Sequence, residues 1–259
     1  MKFVVLTIFP EMFDSFWQHG IIRRAIDQKK IFASTLNIRD YTEDKHQATD
    51  DRPYGGGSGM VMKPEPLAGA IRAAHRQVPS AKTILLSPQG RVFDQKLANE
   101  LASFESLVFV CGRYEGVDER ICQELVDDEV SIGDYVLTGG ELAAMVIIDA
   151  VTRQIPGVLG AEDSAAKDSF SSGLLEHAHY TRPQVFEGEE VPKILLSGHH
   201  KEIENWRLES SLMRTLFKRP DLLQNGHLEK KEIEILNKWS RRIEEIIKSY
   251  QRGRKVRRE

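Results

Sequence analysis

The sequence predicts an α/β protein with a mainly parallel sheet, followed by a small all-helical C-terminal region. Two observations predict it. Short apolar runs such as Phe3–Phe9, Thr83–Leu86 and Leu107–Cys111 alternate with stretches of helical period. Runs without polar alternation are what strands covered on both faces require. Beyond Gly160 the strand signal fades and only helical patterns remain.

The elements follow in order. Phe3–Phe9 is a buried strand, too short for a membrane span and without a cleavage site. Glu11–Lys29 reads as one helix, with Met12, Phe13, Phe16, Ile22 and Ile26 near helical spacing. A polar loop follows, ending in Pro53-Tyr54-Gly55-Gly56-Gly57-Ser58-Gly59. Glu65–Gln77 is helical. Thr83–Leu86 is a strand stopped by Ser87-Pro88-Gln89-Gly90. Asp94–Phe104 is a helix, Leu107–Cys111 a strand, Glu119–Val126 a helix, and the chain is extended from Val130. Glu141–Arg153 is an apolar helix opening after Gly139-Gly140. Ala161–Ser169 is small, polar and aperiodic, a linker. Glu202–Phe217 and Leu228–Tyr250 are amphipathic helices, with Ile233, Leu236, Ile243 and Ile247 on one side of the last. The division expected is a domain over 1–159, a linker over 160–172 and a helical domain over 173–259.

The bulk numbers limit the function. With 259 residues, 41% hydrophobic and 29% charged, the chain is an ordinary globular protein rather than a disordered or membrane one. A net charge of −3 gives no protein-wide basic field. Arg252, Arg254, Lys255, Arg257 and Arg258 do form a local basic end, read equally well as a solvated tail or a phosphate contact. Two cysteines, Cys111 and Cys122, make no C-x-x-C pair and fit inert packing in a reducing cytoplasm. His177-x-His179 has the look of a metal pair, but no Cys or carboxylate partner sits at the usual spacing, so no metal ligand is assigned.

Three loops at the carboxyl ends of predicted strands carry the turn residues: Ser87–Gly90, Gly112–Gly116 and Ser131–Glu141. Ligands collect at such strand ends in open parallel sheets. Gly139-Gly140 also lead into a helix whose first N–H groups are unpaired. Neither G-x-G-x-x-G nor G-x-x-x-x-G-K-[ST] occurs, because Met60 stands in the last slot of the first pattern and follows Gly59 in the second. The residues alone leave open a nucleotide-using transferase or hydrolase and a non-catalytic RNA-binding module.

Five segments in order narrow this. Pro53–Met60, Gly112–Arg120, Ser131–Glu141, Ile155–Gly160 and His179-Tyr180-Thr181-Arg182-Pro183 together resemble the bacterial tRNA (guanine-N1)-methyltransferase family of the knotted SPOUT superfamily. Departures are small: Ala143 stands where the family often has proline, and Ala165-Ala166-Lys167 is a variant before Asp168.

The resemblance implies a deep trefoil knot in the α/β domain, which periodicity alone does not predict. It implies S-adenosylmethionine as cofactor, held by Leu86, Ser87 and Pro88, by Gly112, Tyr114 and Gly116, and by Ile132, Gly133, Asp134, Tyr135, Val136, Leu137, Gly139 and Gly140. The reaction implied is methylation of N1 of guanine 37 beside the tRNA anticodon, in a cytoplasmic homodimer with its site at the subunit interface. Asp168 is implied as general base, Arg153 as the cation at O6, and Glu115 as a helper near the cofactor or a Mg²⁺ ion. His179, Tyr180, Arg182, Lys193, His199, His200 and Lys201 mix aromatic and cationic groups suited to RNA.

Overall fold

The computed structural model describes residues 1–160 and 168–256, with no side-chain description for Asn225 or for 249–256. The chain forms two compact units, Met1–Ala165 and Ala166–Glu259. Most of the linker expected over 160–172 lies outside the described residues, as do Arg257 and Arg258 of the basic end.

The first unit is built on strands β1 (Lys2–Thr7), β2 (Phe32–Asn37), β5 (Lys82–Val92), β6 (Ser106–Cys111) and β7 (Asp128–Ser131). They form one sheet in the order β2-β1-β6-β5-β7, every neighbour parallel. Residues β3 (Asp50–Asp51) and β4 (Val61–Met62) make a separate antiparallel pair. The apolar runs are continuous because successive side chains enter different cores. Phe3, Val5, Ile84, Leu86, Leu107 and Phe109 join one buried cluster. Val4, Leu6, Leu85, Val108 and Val110 join the other.

Helices cover both faces. The first cluster takes buried residues from α2 (Gly20–Asp27), α4 (Gln95–Ala102) and α6 (Glu141–Gln154). The second takes them from α3 (Pro64–Gln77) and α5 (Glu119–Leu125). Asp94 caps α4 by accepting from the Leu97 amide at 2.8 Å, and Asp118 caps α5 by accepting from the Arg120 amide at 3.0 Å.

The structure differs from the sequence expectations at four places. The helix expected over Glu11–Lys29 is broken into a 3-10 turn (Pro10–Phe13), α1 (Asp14–Gln18) and α2. His19 is extended and Gly20 takes φ +62°, a left-handed step that interrupts the ladder. The polar loop expected after it contains β2, an edge strand whose mixed Phe32-Ala33-Ser34-Thr35 run has no apolar continuity and whose Phe32 is exposed. Ser87–Gly90 does not end β5. Leu86 and Arg91 both register with Val130, so 87–90 loop out as an irregularity and the strand resumes. The second unit carries a short antiparallel pair, β8 (Val185–Phe186) with β9 (Glu189–Glu190), which gave no strand signal.

Among its described residues that unit also carries a 3-10 turn (Lys193–Leu196) and helices α7 (His200–Lys218), α8 (Pro220–Asn225) and α9 (Lys230–Val256). Leu212 and Thr215 are its buried positions on α7. No helix among the described residues is long and apolar enough to cross a membrane.

Gly90 shows how tightly β5 and β7 meet. A Cβ there would lie 2.3 Å from both the Glu129 carbonyl carbon and the Val130 nitrogen, main-chain atoms that cannot swing aside. The Gly90→Ala variant is therefore expected to lose about 1–3 kcal/mol of stability, read from the midpoint of urea unfolding. An unchanged midpoint would show that the strand pair yields more easily than this spacing allows.

Candidate active site

A parallel sheet places the carboxyl ends of its strands along one edge. The loops after the first stretch of β5, after β6 and after β7 meet there around a cleft of about 270 Å³. Leu86, Ser87 and Pro88 line it from the first loop, and Gly112, Tyr114 and Gly116 from the second. Ile132, Gly133, Tyr135, Val136, Leu137, Gly139 and Gly140 line it from the third. Of the expected cofactor residues only Asp134 is not part of the lining; it is exposed on the same loop. Glu115 is on the wall, as are Gln89 and Thr138, which the sequence did not single out, and Cys122, which it read as inert packing.

The loops hold one another through main chain. The Gly140 amide donates to the Gly112 carbonyl at 2.9 Å, and Arg113 and Gly139 form an antiparallel bridge. A Cβ on Gly140 would stand 2.9 Å from Cys111 Cα and 3.0 Å from Leu86 Cβ, so glycine is what lets the third loop close against the other two strands. Tyr114 has φ +60°, a costly conformation for a bulky residue. It is held by the turn around it: Gly116 N–H to Arg113 C=O at 3.1 Å, and Glu115 N–H to Met60 C=O at 3.0 Å. Burial, and then the Asp50 carboxylate, push the Tyr114 hydroxyl above its ordinary pKa, so it stays a neutral phenol. The Glu115 side chain lies over Gly59, where a Cβ would meet its Oε1 at 2.3 Å.

Beneath the loops sits a charge cluster that the sequence did not single out. Glu141, the first residue of α6, is only 1% exposed. It accepts from Thr7 Oγ1 at 2.6 Å and from Arg113 Nε at 3.1 Å, and Arg113 Nη2 lies 3.0 Å from its other oxygen. The Arg113 guanidinium also sits 4.3 Å from the centre of the Phe9 ring. Its position in the first turn of α6 suits a carboxylate, facing the positive end of the helix dipole. The available signal was a carboxylate opening an otherwise apolar helix, which needs a cation once buried.

The thiols are not nucleophiles here. Burial, and then Glu141, push Cys111 well up, and partial burial followed by Glu129 and Glu119 pushes Cys122 up to about 11. Both are protonated near neutral pH, in keeping with inert packing.

The expected acid–base residues are not among those lining the cleft. Arg153 is half-buried in the last turn of α6, about 18 Å of helical rise from Glu141. Asp168 belongs to the second unit, half-buried, its carbonyl accepting from the Ser171 amide at 3.2 Å. The residues expected to meet RNA, from His179 to Lys201, are all exposed in that unit. One expectation changes: His177 and His179 do have a carboxylate partner, the adjacent Glu176, whose spacing falls outside the usual ligand patterns.

Comparison with known proteins identifies the relatives. A family model described as tRNA (Guanine-1)-methyltransferase TrmD matches residues 1–225. A tRNA (guanine-N(1)-)-methyltransferase of Desulfatibacillum aliphaticivorans is 57% identical over 249 residues, 96% of this chain and 95% of that protein. One from Dehalococcoides mccartyi is 55% identical over 238 residues, 92% of this chain and 96% of that protein. The crystal structure of the tRNA (m1G37) methyltransferase from Aquifex aeolicus superposes with a TM-score of 0.71 at 40% identity, covering 86% of this chain and 95% of that one.

The charge cluster can be tested by stability. Glu141→Ala leaves the half-buried Arg113, stacked on Phe9, without its carboxylate and is expected to cost about 1.5–3 kcal/mol in chemical unfolding. Replacing both partners by methionine, Arg113→Met with Glu141→Met, is expected to cost far less, since no unpaired charge remains. Equal losses in the two proteins would reduce the pair to ordinary packing.

Proposed function

The chain belongs to the tRNA (guanine-1)-methyltransferase family, and from that premise we propose that it transfers a methyl group from S-adenosylmethionine to N1 of guanine 37 of tRNA, beside the anticodon. The observation that carries this is the cleft where three glycine-bearing loops converge at one edge of the parallel sheet.

The residues present fit the cofactor. Leu86, Ile132 and Leu137 offer apolar surface to a purine ring, and glycine-flanked peptide groups of the loops are open to its polar edge. Held there, the cofactor supplies a methyl group already activated on a sulfonium. A Mg²⁺ ion has less support. Glu115, Glu119 and Glu129 line the cleft, but among the described residues no three metal-type donors converge in it, so no step is assigned to a metal.

The protein's task is then the acceptor. Guanine N1 carries a proton that must leave as the new bond forms. Asp168 is proposed to take it. As it does so, negative charge gathers on O6, where the Arg153 guanidinium is proposed to stabilise it. Glu115, anchored over Gly59 on the cleft wall, is proposed to assist beside the cofactor.

The rest of the proposal concerns assembly. The path of the third loop, with Gly140 seated against both Cys111 and Leu86, supports a deep trefoil knot. Arg153 stands a full helix length from its own cleft, and Leu142 and Val146 leave an apolar stripe exposed on α6. Both support a homodimer in which the site forms between subunits. The domain division proposed remains 1–159, 160–172 and 173–259, with the helical part gripping tRNA through exposed His179, Tyr180, Arg182, Lys193, His199, His200 and Lys201. The proposed compartment is the cytoplasm, where tRNA is modified and free thiols such as Cys111 and Cys122 persist.

Incubation with methyl-labelled cofactor and tRNA transcripts tests the reaction: label is expected on guanine 37 at N1, and transfer to another base or none at all would overturn it. Under single turnover, Asp168→Ala is expected to slow transfer about 10²–10⁴-fold with cofactor binding intact. A near-normal rate would move the base elsewhere. Arg153→Ala is likewise expected to lower the transfer rate, and a change confined to cofactor affinity would remove it from O6.

A further inference from the structure

The second unit gathers a set of donors with no part in the proposed methyl-transfer chemistry, although His179 is also among the residues proposed to meet tRNA. The ligand atoms of Glu176, His177 and His179 all lie within 4.8 Å of one another. The His179 Nε2 is 2.9 Å from Glu176 Oε1, and the two imidazole rings are 4.5 Å apart between centres.

The backbone beneath them is pinned. The Leu175 amide donates to Thr215 Oγ1 at 2.9 Å, the Glu176 amide to Ser169 Oγ at 3.0 Å, and the Ala178 amide to Ser210 Oγ at 3.0 Å. The Ser211 hydroxyl donates to the Leu175 carbonyl. Two amides and one carbonyl are thus tied to α7, leaving the donor side chains grouped on a fixed support. Trp206 of the same helix walls one side, its ring 6.5 Å from His177 at a near-perpendicular angle. Pre-organised ligands of this kind lose little freedom when an ion enters.

We propose that Glu176, His177 and His179 bind a borderline divalent cation, Zn²⁺ in the first instance, through two imidazole nitrogens and one carboxylate oxygen, with a fourth position open to solvent. Two imidazoles select Zn²⁺ and its neighbours over Mg²⁺ or Ca²⁺, which prefer oxygen donors. Tetrahedral donors around zinc stand about 3.3 Å apart, against a present spread within 4.8 Å. Arg207 opposes a cation there, but its own charge is engaged by Glu204 at 2.6 Å. On binding, Glu176 exchanges its contact with His179 for the ion.

The test uses the full-length protein, stripped with chelator and titrated calorimetrically with Zn²⁺ alone in a large excess of Mg²⁺. One tight equivalent per chain is expected, and no binding under these conditions would overturn the proposal. His177→Ala and Glu176→Gln should each weaken Zn²⁺ at least about tenfold. Undiminished affinity in both would place the ion elsewhere, as at His199 and His200. If a variant fails to fold, histidine ring resonances of the wild-type protein decide. Zn²⁺ should shift those of His177 and His179 and leave His199 and His200 unmoved; the reverse pattern refutes the site.

Discussion

A carboxylate taken out of water must be met by donors, or its burial costs several kcal/mol. Glu141 meets that demand with Thr7 at the end of β1 and Arg113 in the loop after β6. An interior strand of the sheet, the middle loop and the start of α6 are therefore tied at one point. The glycines follow from it. A Cβ on Gly139 would stand 2.5 Å from Glu141 Oε2 and 2.6 Å from Arg113 Nε, so the residue two places before the helix must have no side chain for the pair to close. The cleft takes its shape from loops that this buried pair holds in register.

The cleft so formed is suited to holding rather than reacting. Its thiol, Cys122, is protonated, and its wall mixes glycine main chain and apolar side chains with the carboxylates of Glu115, Glu119 and Glu129. The groups proposed for proton removal and charge stabilisation, Asp168 and Arg153, sit in the second unit and at the far end of α6. A donor that arrives already activated asks the cleft for no group to generate an electrophile. Alignment with the acceptor is then the demanding part, and a second subunit is the proposed means.

Much of the fold was legible because buried parallel strands announce themselves. β1, β6 and the first stretch of β5 are continuous apolar runs, and their alternation with helices fixed the class. β2 was not legible, because an edge strand with one partner and an exposed Phe32 carries no such run. The break at Gly20 was legible only as a glycine inside a helical pattern; its left-handed φ is a tertiary choice. At the site, the glycine loops and strand ends pointed to the cleft, but the family resemblance was needed to give them a ligand. Arg113 and Glu141 lay inside the recognised segments and still went unread, because a pairing across 28 positions leaves no local pattern. Glu176 was missed for the opposite reason: it adjoins His177, and adjacent residues are not expected to ligate together.

Glycine walls also bear on how this protein can change over generations. In a pocket lined by side chains, one substitution exchanges one contact for another. Here a substitution at Gly133 adds an atom 2.5 Å from the Tyr135 ring, and one at Gly139 or Gly140 strikes the buried pair or the neighbouring strand. Single mutations at these positions subtract space instead of altering preference, and most will be purged. Variation that survives should accumulate in exposed lining residues such as Pro88 and Val136, or arrive as loop insertions. A small molecule that relied on the main chain of these loops would accordingly face few routes to resistance by point mutation.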